Sequence, residues 1–199
     1  MNKKLILATN NKDKISEISG ILEGLNIEIL SAADFNDFPD PEETGDAIAD
    51  NAEIKAKAVF ERYGLPCIAD DTGLEVDYLN GEPGVRSSRF AGEGCSYDDN
   101  NRKLLKLLDG AAPNQRTARF KTVIAFADSK GKIHLVEGML EGIIATDKKG
   151  EHGFGYDPVF IVSGLNLRLA ELPPEEKNKI SHRARALQKI KPVIVKSMS

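Results

Sequence analysis
The stretch Ile68-Ala69-Asp70-Asp71-Thr72-Gly73-Leu74 sets two adjacent carboxylates at the end of an apolar run, Leu65-Pro66-Cys67-Ile68-Ala69. The run reads as a buried strand, and Thr72-Gly73 as the turn that ends it. Carboxylates where a buried strand leaves its sheet stand where α/β folds keep their chemistry. Two such charges side by side repel each other unless a cation or a proton neutralises one. A hard divalent ion such as Mg²⁺ does this with oxygen ligands. Taken alone, the pair is equally well explained as a polar strand exit, with one Asp capping the turn and the other in water.

Upstream, Leu5-Ile6-Leu7-Ala8 is a short strand that breaks into Thr9-Asn10-Asn11. Ile15, Ile18, Leu22 and Leu25 follow at helical spacing, so the chain opens strand, polar turn, helix. Residues 26–30 give a second short strand, and 35–41 an Asp- and Pro-rich loop. Thr44 can cap a long helix with the stripe Ile48, Ala52, Ala56, Val59, Phe60 and Tyr63, closed by Gly64.

Downstream, residues 81–92 form a long loop with four glycines and no periodicity, a size often tied to function in a compact domain. A helix over 97–108 carries Leu104, Leu105 and Leu108. Residues 116–127 alternate, and the turn Asp128-Ser129-Lys130-Gly131 returns the chain into 133–140, a hairpin. Residues 154–162 are a last apolar segment. Ser181 caps a helix bearing Ala184, Leu187 and Ile190, which Pro192 ends or kinks. Strand-helix units together with a hairpin predict an α/β fold with a mixed sheet.

With 199 residues, 41% of them hydrophobic, the chain supports one well-buried domain over 1–199, with room for two lobes. A net charge of −4 argues against a general nucleic-acid or anionic-membrane surface, so a polyanionic ligand needs a local basic cluster. Cys67 and Cys95 make neither metal-ligand spacing nor a disulfide framework, and Cys67 reads as a small core residue. They fit a reducing compartment. The N-terminal stretch Met1-Asn2-Lys3-Lys4-Leu5-Ile6-Leu7-Ala8 is too short in apolar residues for a signal peptide, and no run reaches transmembrane length. The expected location is the cytoplasm.

Four further segments carry chemistry. At Thr9-Asn10-Asn11-Lys12-Asp13-Lys14 a strand-turn-helix start exposes N–H groups and the positive end of a dipole, with Lys14 one turn in. A plain N-cap with surface lysines explains the same residues. Glu42-Glu43 before Thr44-Gly45 either favour a helix dipole or give one carboxylate to a metal shared with Asp70 or Asp71. In Gly153-Phe154-Gly155-Tyr156-Asp157-Pro158, glycines let the backbone approach a flat ligand. Phe154 or Tyr156 there offers a stacking face, and Asp157 can accept from a ring N–H. Lys177-Asn178-Lys179-Ile180-Ser181-His182-Arg183 places cations at a helix start, where the dipole disfavours them unless an anion is present. A solvated basic face is the alternative. His134 reads as structural, and His152 borders the aromatic loop.

In this order the motifs resemble the inosine triphosphate pyrophosphatase family. Six blocks carry the likeness over nearly the whole chain. They are Leu7-Ala8-Thr9-Asn10-Asn11, Glu42-Glu43-Thr44-Gly45, the Asp70-Asp71 stretch, Pro83-Gly84-Val85-Arg86-Ser87-Ser88-Arg89-Phe90-Ala91-Gly92, Gly153-Phe154-Gly155-Tyr156-Asp157-Pro158 and Ile180-Ser181-His182-Arg183. The resemblance implies Mg²⁺-dependent conversion of ITP, dITP or XTP to the monophosphate and pyrophosphate. It also implies an elongated α/β fold with a cleft between two lobes, and a homodimer. By position, Asp71 is the general base or metal-linked acid, and Glu43 shares the Mg²⁺. Thr9, Asn10, Lys14, Lys177 and Arg183 hold phosphates; Phe154, Gly155, Tyr156 and Asp157, with His182 and Arg183, read the base; Asn11 and Thr72 join the substrate-binding set. Two positions depart from the family pattern: Thr72 stands where Ser is usual, and His152 where Gly is usual.

The chemistry agrees with that expectation. Attack of water on an α-phosphorus needs neutralised phosphate charge, a positioned water and a good leaving group. A purine 6-oxo group accepts a hydrogen bond where the 6-amino group of adenine donates, so a donor at the base favours hypoxanthine and xanthine. The alternatives are a Mg²⁺-dependent hydrolase of other modified nucleotides and a nucleotide sensor without turnover.

Overall fold
A computed structural model describes residues 3–198; Met1 and Asn2 of the N-terminal stretch, and Ser199, lie outside it. The strands are β1 (Lys3–Leu7), β2 (Ile27–Leu30), β3 (Cys67–Val76), β4 (Pro83–Gly84), β5 (Thr117–Ala127), β6 (Ile133–Ile144) and β7 (Phe160–Val162). The helices are α1 (Lys12–Leu22), α2 (Ile48–Tyr63), α3 (Tyr97–Leu107), α4 (Pro174–Ile180) and α5 (His182–Ser197). The sheet runs β2-β1-β3-β5-β6-β7, with β4 on β3. β1 is parallel to β2 and β3, whereas β4 on β3 and β7 on β6 are antiparallel. The expected α/β class with a mixed sheet is what the chain adopts.

Two compact units share the chain. The first comprises Met1–Asp71, Thr122–Gly138 and Arg183–Ser199; the second comprises Thr72–Lys121 and Met139–His182. Each has its own core. In the first, Leu5, Leu7, Ile68, Ile124 and Phe126 from strands meet Ile18 and Leu22 of α1 and Leu187, Ile190 and Ile194 of α5. In the second, Leu74, Val76, Phe120, Leu140 and Phe160 pack with Leu104 of α3 and with Leu108, Tyr156 and Leu169. Full burial of side chains of this size contributes about 1.5–3 kcal/mol each. Cys67 lies in the first unit, and burial pushes its thiol up to about 12, which makes it the inert core residue expected.

Three local expectations are corrected. Thr72-Gly73 is not a turn: β3 runs on to Val76 because Leu74 and Glu75 pair with Gly84 and Pro83 of β4. Thr44 does not cap α2. The helix begins after Ala47, whose N–H donates to the Asp50 carboxylate at 3.1 Å, and it closes as predicted on Gly64 at φ +64°. Of the two effects expected of Pro192, it does not end α5, which continues to Ser197 because Ile190, Ile194 and Met198 hold the same buried face across the missing bond. Only the last three residues of the 154–162 segment form a strand.

Candidate active site
Successive side chains of a strand point to opposite faces, and continuation of β3 therefore separates the two aspartates. Asp71 Oδ1 accepts from Lys55 Nζ at 2.7 Å, and the same ammonium donates to Glu43 Oε1 at 3.0 Å and to the Asp70 carbonyl at 3.1 Å. Burial raises the Asp71 carboxyl above the ordinary carboxylate value; Lys55 and Lys14 oppose that rise and Glu43 adds to it. Burial alone would lower the Lys55 ammonium, but the Asp71 and Glu43 carboxylates beside it leave it above its ordinary value. A carboxyl with a raised pKa beside a second acid and a fixed cation has the character of a general base.

Asp70 faces a different set. Arg183 Nε donates to its Oδ2 at 2.9 Å and Arg183 Nη2 to its Oδ1 at 3.2 Å, while Lys14 pairs with Oδ1 and donates to the Asp70 carbonyl at 3.2 Å. Arg183 pairs also with Glu17, on α1. Burial would raise the Asp70 carboxyl, but Arg183 and Lys14 hold it far below the usual carboxylate range. Asp70 thus stays an anion among cations, and Arg183, 1% exposed, gives its guanidinium to Asp70 and Glu17.

At the start of α1, Asn11 is the N-cap, its Oδ1 accepting from Asp13 N–H at 2.9 Å and Lys14 N–H at 3.1 Å. Thr9 Oγ1 accepts from Asn11 N–H at 3.2 Å, and Asn10 is exposed. The helix-start donors are thus partly taken by Asn11, which leaves Asn10 as the outward group of this turn, the Lys14 charge being turned in on Asp70.

The remaining predicted residues lie in the second unit. Asp157 Oδ2 accepts from Phe154 N–H at 2.9 Å and pairs with Lys177, whose Nζ stands 4.8 Å from the Phe154 ring centre. The Tyr97 ring of α3 is tilted against that ring, 6.0 Å between centres and 41° between planes. Gly153, at φ +73°, has no room for a side chain because a Cβ there would overlap the Asp157 carboxylate. Tyr156 O–H donates to the Ser87 carbonyl at 2.9 Å, and burial raises its phenol. The His182 ring stacks on Phe120 at 4.6 Å and 16°. Thr72 is half-buried at the head of this unit's part of β3, and His152, in the slot where Gly was expected, is exposed with its N–H on the Ala170 carbonyl at 3.0 Å. Lys177, His182 and Arg183 are all buried, so the basic segment is not a solvated face.

Asn101 of α3 ties this loop from outside. Its Nδ2 donates to the Gly155 carbonyl at 2.9 Å and to the Tyr97 carbonyl at 3.0 Å. Its Oδ1 is buried with no hydrogen-bond partner among the described residues, a cost of about 1–3 kcal/mol in general.

Lys55, Glu17 and Asn101 are site residues that sequence reasoning passed over. Lys55 had a signal: it sits seven residues after Ile48 and three after Ala52, on the apolar stripe of α2. Glu17 and Asn101 have none.

Among the described residues no group of three or more His, Cys, Asp or Glu side chains is placed to hold a metal. Mg²⁺ does not need one, since it is bound through one or two carboxylates, with water and substrate phosphates completing its octahedron. Glu43 and Asp71, two hard-oxygen donors already converging on one cation, fit that requirement.

The family model described as Ham1 family matches residues 5–193. A dITP/XTP pyrophosphatase of Elusimicrobium minutum is 53% identical over 94% of this chain and 97% of its own length. A protein of the same name from Thermoanaerobacter sp. is 54% identical over 98% of both. Among solved structures, a HAM1 protein from Coxiella burnetii superposes with a TM-score of 0.87 at 39% identity, covering 98% of this chain and 99% of that one. With the fold matched over its length and the family model over nearly all of the sequence, the chain belongs to the Ham1 family.

Proposed function
We propose that this chain is a nucleoside-triphosphate pyrophosphatase that hydrolyses non-standard purine nucleotides (ITP, dITP and XTP) to the monophosphate and pyrophosphate. One observation carries the chemistry: Asp71, its carboxyl raised by burial, shares a fixed cation with Glu43. The names of its relatives support the substrate class.

In this reading Asp71 takes the proton of the attacking water and Glu43 is its partner carboxylate. A Mg²⁺ held by Glu43 and Asp71 would neutralise charge on the phosphate oxygens and on the leaving pyrophosphate. Lys14, Lys55 and Asn10 bind phosphate oxygens, and Thr9 and Asn11 set the turn that presents them. Arg183 is a positioning residue that fixes Asp70, and through it the strand that carries Asp71. Phe154 offers the stacking face, Gly155, Tyr156 and Asp157 shape the loop, and Lys177 orients Asp157. His182 supplies a donor to the 6-oxo group; adenine would leave that donor unpaired at about 1–3 kcal/mol. Thr72 keeps a hydroxyl at the strand position that follows Asp71.

The whole chain works as one catalytic domain, as a homodimer and in a reducing cytoplasm. The likeness of the six sequence blocks supports the dimer, and two unbridged cysteines support the compartment. Sedimentation equilibrium at twice the 21.7 kDa chain mass is the expected result for the dimer.

The deciding experiment incubates the purified protein with ITP and with ATP, with and without Mg²⁺, and identifies products by phosphorus NMR. IMP plus pyrophosphate from ITP, little from ATP and none without metal is expected. IDP plus orthophosphate would overturn attack at the α-phosphorus, and no turnover of either nucleotide would leave a binding protein.

A further inference from the structure
Residues 153–157 turn on two glycines with positive φ, Gly153 at +73° and Gly155 at +63°, and neither offers a side chain with which to anchor the bend. Within the segment, Asp157 accepts from Phe154 N–H and Asp157 N–H donates to the Phe154 carbonyl at 3.3 Å. These bonds close the turn on itself without fixing its tip. The Gly155 carbonyl at the tip is held from α3, by Asn101 Nδ2 at 2.9 Å. Both groups facing Nδ2 are carbonyls, so the amide has its nitrogen, and not its oxygen, toward Gly155.

That orientation leaves Oδ1 buried and unpartnered among the described residues, although Asn101 is only 3% exposed. A helix position selected for stability would hold an apolar side chain there. An unsatisfied buried acceptor calls for an explanation other than folding. The same turn of α3 sets Tyr97 against the Phe154 ring, and the neighbouring Asn100 holds the Ala91 N–H at 2.7 Å and the Ser88 carbonyl at 3.0 Å.

We infer that Asn101 is a specificity-positioning residue, fixing the Gly155 carbonyl and with it the base-reading face formed by Phe154 and Asp157. This rests on the reading of 153–157 as the segment that meets the purine. Asn101 touches none of the phosphate-side groups named above, so its effect falls on binding and base choice and not on the chemical step.

The test compares wild type with Asn101→Leu, near in size but without donors, and Asn101→Asp, which when ionised keeps the size and loses the donor. The kinetic constants are measured for ITP, GTP and ATP, with melting temperatures alongside. Expected is a fall of about tenfold or more in the ratio of kcat/KM for ITP to that for GTP. The fall should come through a higher KM for ITP, with kcat within about threefold of wild type, and with Asn101→Leu melting at or above the wild-type temperature. Should Asn101→Leu not fold, Asn101→Asp decides the same ratio. An unchanged ratio in a folded variant, or a loss confined to kcat or to melting temperature, overturns the inference. Failure of the underlying reading is separately visible, since wild type would then fail to prefer ITP over GTP and ATP.

Discussion
Asp70 and Asp71 carry the same carboxyl group one residue apart, yet their surroundings drive their acidities in opposite directions. Arg183 and Lys14 hold Asp70 ionised far below the ordinary range, whereas burial and Glu43 raise Asp71. Such divergence separates a structural anion from a base. Asp71→Asn should lower kcat on ITP by about 10²-fold or more. A base acts when deprotonated, so a raised pKa moves the acid limb of activity upward. In wild type, kcat should therefore fall on acidification at a pH above the ordinary Asp value of about 3.9. Measurement of kcat from about pH 4 to about pH 8 checks this, and a flat profile would remove Asp71 from the role. Lys177 offers a contrast: it pairs with Asp157 and its ammonium stands over the Phe154 ring, in the loop read as meeting the base. Lys177→Ala loses a charge-assisted bond of about 1.5–3 kcal/mol and should raise KM for ITP by about 10–100-fold with kcat little changed. An unchanged KM would place Lys177 outside the substrate site.

At the scale of elements, periodic helices were legible and their boundaries less so. The stripe of α2 and its closing Gly64 read directly, because helical spacing and the left-handed cap are local features. The end of β3 did not read, because Thr-Gly has turn grammar while the pairing with β4 that extends the strand comes from residues ten positions on. Lys55 was missed for a related reason: a lysine stem lies comfortably on an apolar stripe, and only the fold reveals that its ammonium meets Asp71 and Glu43. The metal-side and base-side motifs were visible as residue types, while the burial of Arg183 and Lys177 depends on long-range ion pairs with no sequence signature. The proline of α5 yields a prediction of its own. Pro192 is exposed and leaves the Gln188 carbonyl without its helical N–H, so Pro192→Ala loses no core contact. It should stabilise the protein by up to about 3 kcal/mol in urea unfolding. No gain would mean that the helix has already accommodated the proline at that turn.

For the whole molecule, the distribution of charge decides behaviour in acid. The chain holds 31 acidic against 27 basic side chains, near balance at neutral pH and strongly cationic once carboxylates protonate. The steepest dependence belongs to buried pairs, with Asp70 foremost. Its folded pKa is depressed below the unfolded value of about 3.9, so the unfolded state binds its proton first. The stability it contributes is therefore complete above that value and is lost as pH falls from there toward the folded pKa. Asp70→Asn removes this dependence and strands the Arg183 guanidinium with Glu17 as its remaining carboxylate partner of the two. At neutral pH the variant should be less stable by about 3–5 kcal/mol, the usual loss when one member of a buried pair is removed. Its unfolding free energy should also decline less steeply than wild type below about pH 4. Urea unfolding at neutral pH and at several acid values measures both quantities. Glu17→Gln, which takes the other carboxylate from the same guanidinium, should give a smaller loss of the same sign and serves if Asp70→Asn does not fold. Equal acid slopes in wild type and Asp70→Asn would show that Asp70 keeps an ordinary pKa and that the Arg183 pair does not govern acid stability.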